Sequence, residues 1–167
     1  MLEPQVLTEE QIQFWDERGY FVTDVLFDER QLDDICHHMA LVFAQKYETN
    51  VPPNKIDWWP GDPQTSLKKL DNGWWADETI RRLVLNPTLG AIAAQLAKAD
   101  TIRLFQDQLL DKPGIGRNTP RSAVVGWHQD YAYWQCATPD HLLTARVAIN
   151  EETRENGCMQ VIRGSHR

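Results

Sequence analysis

Inside the stretch VVGWHQDYAYWQC, Val124 to Cys136, stand His128, Gln129 and Asp130. In an extended strand, residues two apart project to the same face and the residue between them points away. His128 and Asp130 would then reach one point from one surface, with Gln129 on the other. Two imidazoles and a carboxylate on one triangular face of an octahedral ion leave three coordination positions open, the arrangement of non-haem iron(II) sites. His128 and Asp130 supply two of the three donors, so the question is where a second imidazole comes from.

Four other histidines are available. His166, near the end of the chain, is the candidate third metal ligand, with water or a neighbouring chain as the other sources. His141, in TPDH, reads as solvent-facing or hydrogen-bonded, and His37 and His38 read as structural or solvated helix residues. Arg163, Arg167 and Lys112 are candidates to pair with a bound carboxylate, although such side chains are most often simply exposed.

The elements that must position these residues are legible in outline. Thr8 with Gln11, and Asp28 with Gln31, are capping-box patterns that open two helices, the first ending at Gly19. In the second helix Leu32, Ile35, Met39, Val42 and Phe43 recur at helical spacing. Between the two, YFVTDVLF reads as a strand. Residues 48–76 are rich in Trp and Pro and read as a long irregular loop, a kind of segment that in compact domains usually belongs to a site. Asp77 to Leu85 and Thr88 to Ala99 read as two helices divided at Pro87. From Thr101 onward TIRLFQDQLL, AVVGWHQDYAYW, LLTARVAIN and GCMQVI read as strands.

This order, helices and then strands, gives an α+β class: N-terminal helices bracing an incomplete double-stranded β-helix of jelly-roll or cupin-like type. A closed barrel usually takes about eight strands, more than this chain lays down. The expected organisation is one domain, 1–167, mainly helical over 1–100 and β-rich over 101–167.

The composition narrows the function classes. With 17 Lys and Arg against 24 Asp and Glu, the net charge is −7, and no basic run tracks a phosphate backbone. Nucleic acid is therefore not expected as a partner, nor is a membrane, because no apolar run reaches the length of a span. The N-terminus lacks the features of a leader, and three scattered cysteines fit no disulfide framework or metal spacing. A cytoplasmic protein is the expectation. Seven tryptophans suit a large pocket or an aromatic core.

LFQDQLLDKPG, GWHQDYAYW and LLTARVAINEETRENGCMQVIRGSHR together resemble the phytanoyl-CoA dioxygenase family of iron(II) and 2-oxoglutarate-dependent oxygenases. GYFVTDVLFDERQLDDI resembles the family's opening. The resemblance implies Fe(II) as cofactor and 2-oxoglutarate as co-substrate, with His128 and Asp130 matching the first two iron ligands and Gln129 the residue between them. It implies hydroxylation of a small organic substrate coupled to decarboxylation of 2-oxoglutarate to succinate. A carboxylate at Asp130 fits hydroxylation, since related halogenases carry a small residue there. Gln106, Gln108, Lys112, Gln129 and Arg146 are placed near the co-substrate, and Trp127, Tyr131, Tyr133 and Trp134 near the substrate.

Two departures stand out. Arg146 occupies a position where many members have tryptophan. NGCMQVIRGSHR matches the family's Ser-His step, but the distal histidine ligand and the 2-oxoglutarate-binding arginine that follow it in the family have no matching residue here. The alternative expectation is a catalytically inactive half-barrel that binds a ligand or self-associates through an exposed strand edge.

Overall fold

The structure, a computed structural model, describes residues 6–114, 124–137 and 142–167; His141 lies outside them. Both capping boxes form. Thr8 Oγ1 accepts the Gln11 N–H at 3.2 Å while Gln11 Oε1 accepts the Thr8 N–H at 2.8 Å, opening α1 (Glu9–Arg18). Asp28 and Gln31 repeat the exchange at 2.8 and 2.9 Å for α2 (Glu29–Phe43). Each cap satisfies N–H groups that the first helical turn leaves without partners, a contribution of about 1 kcal/mol. Gly19, at φ 77°, ends α1 in the left-handed conformation.

Two further helices follow the same local logic. Asp77 Oδ1 accepts the N–H groups of Thr79 and Ile80 to start α3 (Glu78–Val84). Asn86 caps α4 (Pro87–Ala97), where Pro87 fits the first helical position because its missing N–H has no bond to lose there.

Among the described residues the sheet is antiparallel and has three strands in the order β1 (Asn54–Ile56), β2 (Lys68–Asp71), β3 (Gln108–Asp111). The register sets Lys68 opposite Asp111 and Leu70 opposite Leu109. Lys68 Nζ reaches Asp111 Oδ2 at 2.8 Å across the pair and lies over the Trp58 ring. Two of the three strands thus come from the Trp- and Pro-rich 48–76 stretch expected to be irregular. The four stretches expected as strands fare differently: only TIRLFQDQLL contributes a ladder, at β3, while the described parts of the others run extended or turning without one. YFVTDVLF is likewise unpaired. The sheet is open, an incomplete double-stranded β-helix braced by N-terminal helices.

The main core lies where α2 and α3 cover this sheet. Ile35, Val42 and Phe43 of α2 meet Ile80 and Leu83 of α3, Leu70 of β2 and Leu109 of β3. Just after β2, Gly73 opens a 3₁₀ turn, and a Cβ there would come within 2.8 Å of Leu109 Cδ1, so a side chain at this position would force Leu109 to shift. A second cluster ties α1 to α4 through Leu7, Ile92 and Leu96, with Ile12, Trp15 and Leu143 against it. Leu143 joins that cluster and Val147 and Ile149 join the first, while Thr144, Ala145, Arg146 and Ala148 are exposed. Leu143, Val147 and Ile149 thus pack inward without a ladder, whereas Ala145 does not.

Candidate metal centre

His128 and Asp130 come together by a turn, not by a shared strand face. Residues 124–129 carry no ladder, and Asp130–Ala132 forms a 3₁₀ turn closed by the Ala132 and Tyr133 N–H groups on the carbonyls of Gln129 and Asp130, at 3.0 and 2.9 Å. His128 Nε2 lies 3.2 Å from Asp130 Oδ1. The other ring nitrogen, Nδ1, is 2.8 Å from the Gly126 carbonyl, so both nitrogens face an oxygen. Thr144 donates its hydroxyl to Asp130 Oδ2 at 2.6 Å, so the carboxylate is oriented from both sides. Tyr133 meets the His128 ring edge-on.

The third expected ligand is elsewhere. His166 Nε2 lies 3.1 Å from the Asp16 carbonyl, and its ring packs on Gly19 at the end of α1. Arg167 donates to the same carbonyl at 2.6 Å, and the Gly164 N–H donates to the Arg18 carbonyl at 2.9 Å. The Ser-His step thus caps the C-terminus of α1, where free carbonyls favour donors and positive charge. A hydrogen bond links it to the His-x-Asp turn: the Gln129 amide donates to the Ser165 carbonyl at 2.6 Å.

The other expected site residues are dispersed or already engaged. Lys112 Nζ donates to the Gly157 carbonyl at 2.6 Å, and Arg146 is held by Glu152. Gln108 sits exposed in β3 opposite Asp71, and Gln106 is half-buried just before that strand. Of the aromatics, Trp127 and Tyr133 are 69% and 74% exposed, Tyr131 is exposed, and Trp134 packs against Phe105. Two surface hollows, of about 290 and 580 Å³, are lined by residues of 10–22 and of 28–37, away from His128.

Three donors do converge at another place. His38 of α2, Glu48 after it and Asp77 at the start of α3 bring one ligand atom each within 4.8 Å of one another, a set able to hold a metal ion. No local spacing announces this cluster, because its members come from three segments. Asp107, between Gln106 and Gln108, was also not singled out by its sequence. Its Oδ1 accepts the Trp74 N–H at 3.2 Å and its carbonyl accepts the Asn72 N–H at 2.8 Å, locking the 3₁₀ turn to β3. Burial, reinforced by the Asp71 carboxylate, raises its pKa to about 6 against the backbone N–H groups that lower it. Asp71 Oδ1 and Asp107 Oδ2 are both buried without a hydrogen-bond partner.

An open sheet braced by capped helices, together with an oriented His-x-Asp pair, is consistent with part of a metal-dependent oxygenase barrel. The family described as Phytanoyl-CoA dioxygenase (PhyH) matches residues 15–167, and the chain belongs to that family. Over 99% of this chain and 49% of the relative, it is 28% identical to "Phytanoyl-CoA dioxygenase, peroxisomal" of Mus musculus. The Homo sapiens protein of the same name is 24% identical over the same shares. "Probable alpha-ketoglutarate-dependent hypophosphite dioxygenase" of Stutzerimonas stutzeri is 28% identical over 64% of this chain and 35% of its own length. The chain spans about half the length of the peroxisomal relatives it matches. No solved structure matches it significantly.

Two expectations are corrected. Oxygenase turnover by these residues is not supported: among those described the sheet is open, His166 is docked on α1, and the three-donor cluster contains one histidine. The described residues therefore do not fit iron(II) in a two-histidine, one-carboxylate set. A cytoplasmic location is overturned by the relatives, since the mouse, human and bovine proteins are named as peroxisomal. Among the described residues no helix is long and apolar enough to cross a membrane.

Proposed function

We propose that these 167 residues form a single-domain half-barrel without oxygenase activity of its own, whose uncovered apolar side takes up a second copy of the chain. The observation that carries this reading is an open sheet among the described residues, together with large apolar side chains left exposed in the barrel portion: Val124 57%, Trp127 69%, Tyr133 74% and Ile162 59%. Monomeric surfaces seldom leave such groups in water unless they meet a partner. Residues 1–100 serve as the helical brace and 101–167 as the barrel portion. His128 and Asp130 match two of the family's iron ligands, which favours ligand uptake at that turn as a second reading.

Sedimentation velocity over a range of protein concentrations tests self-association. Association should grow with concentration and weaken in the paired variant Trp127→Ser, Tyr133→Ser. A monomer at every concentration would contradict the reading.

A further inference from the structure

The cluster of His38, Glu48 and Asp77 has chemistry of its own, distinct from the His128–Asp130 turn. Asp77 is 1% exposed, and its two oxygens have different surroundings. Oδ1 takes the N–H groups of Thr79 and Ile80, whereas Oδ2 meets only His38 Nδ1, at 2.7 Å. Glu48 Oε2 accepts the Glu78 N–H at 3.1 Å from the exposed rim. A third carboxylate approaches from one helical turn back, with Asp34 Oδ1 3.8 Å from His38 Nε2.

Three carboxylates thus surround one imidazole, and among the described residues no Lys or Arg lies within 4.0 Å of Asp77, Glu48 or Asp34. A buried carboxylate in such a place calls for a positive partner. The donors are an imidazole and carboxylates, a borderline set that suits Zn²⁺ or a neighbouring first-row ion better than Mg²⁺ or Ca²⁺, which take oxygen alone. Helices α2 and α3 fix two of the donors, and exposed Glu48 gives an ion its way in. Metal–ligand bonds of about 2.0–2.2 Å need donor atoms roughly 3.3 Å apart, so the short His38–Asp77 contact opens slightly as the ion replaces the shared proton.

We propose that His38, Glu48 and Asp77 bind one divalent transition-metal ion that ties α2 to the start of α3. The site is structural: it joins two core helices.

The test is calorimetric titration of the chelator-treated chain with Zn²⁺, with Co²⁺ absorption as a second readout of ligand geometry. One equivalent should bind, raising the unfolding temperature, and His38→Gln and Glu48→Gln should each weaken binding tenfold or more. Glu48 is exposed, so Glu48→Gln keeps the test valid should His38→Gln fail to fold. His128→Ala and Asp130→Ala should leave the affinity unchanged. Absence of saturable binding, or binding that survives Glu48→Gln and is lost in His128→Ala, would overturn the assignment.

Discussion

His166 packs on Gly19, its ring lying where a side chain at residue 19 would begin. Gly19 is thereby constrained twice, by its left-handed φ of 77° and by this neighbour. Gly19→Ala should cost about 1–3 kcal/mol from the backbone alone, and more from the collision. The collision part should return in the double variant with His166→Ala. Urea unfolding of the four proteins as a double-mutant cycle checks this, since groups in contact depart from additivity.

Asp107 makes stability depend on pH. Its folded pKa, raised by burial to about 6, exceeds the ordinary value of 3.8. The native state holds the proton more tightly, so this group's contribution is fully present below about pH 4 and lost as pH rises through 6. Asp107→Asn keeps an oxygen for the Trp74 N–H and removes the charge. It should be more stable than the parent at pH 7.5, by up to about 2 kcal/mol after allowing for solvent screening, and closer to it at pH 4.5. Urea midpoints at the two pH values decide; an equal difference at both would count against a raised Asp107.

Asp77 carries two duties, capping α3 and holding His38. Asp77→Ala in metal-free buffer should lose about 2–4 kcal/mol, combining a lost cap with an imidazole left without its partner. An effect below 1 kcal/mol would mean that the buried pair contributes little.

The His128–Asp130 turn, by contrast, is exposed and locally closed. His128→Ala should change stability by no more than about 0.5 kcal/mol, whereas Leu70→Ala, in the centre of the core, should cost about 2–5 kcal/mol. Thermal unfolding of the two variants side by side shows whether the turn supports the fold.

What was legible in the chain was local. The caps at Thr8 and Asp28 and the break at Pro87 depend on close neighbours in the chain, and all three appear where their residue types put them. The β1 and β2 strands were missed because their ladder is non-local: Lys68 meets Asp111, and neither segment alternates cleanly beside its Trp and Pro residues. The His128–Asp130 approach was anticipated from residue types, but a 3₁₀ turn, not strand alternation, produces it. His166 was misplaced because spacing cannot distinguish a metal ligand from a donor that caps the end of a helix. His38, Glu48 and Asp77 carry no local pattern at all.

The most direct measurement is an anaerobic titration of the 167-residue chain with iron(II) and 2-oxoglutarate, following the visible charge-transfer absorption of the chelate, with succinate measured after oxygen is admitted. The expected result is no stoichiometric band and no succinate above that of iron and 2-oxoglutarate without protein. A stoichiometric band lost in both His128→Ala and Asp130→Ala, with succinate formed on adding oxygen, would contradict a half-barrel without oxygenase activity.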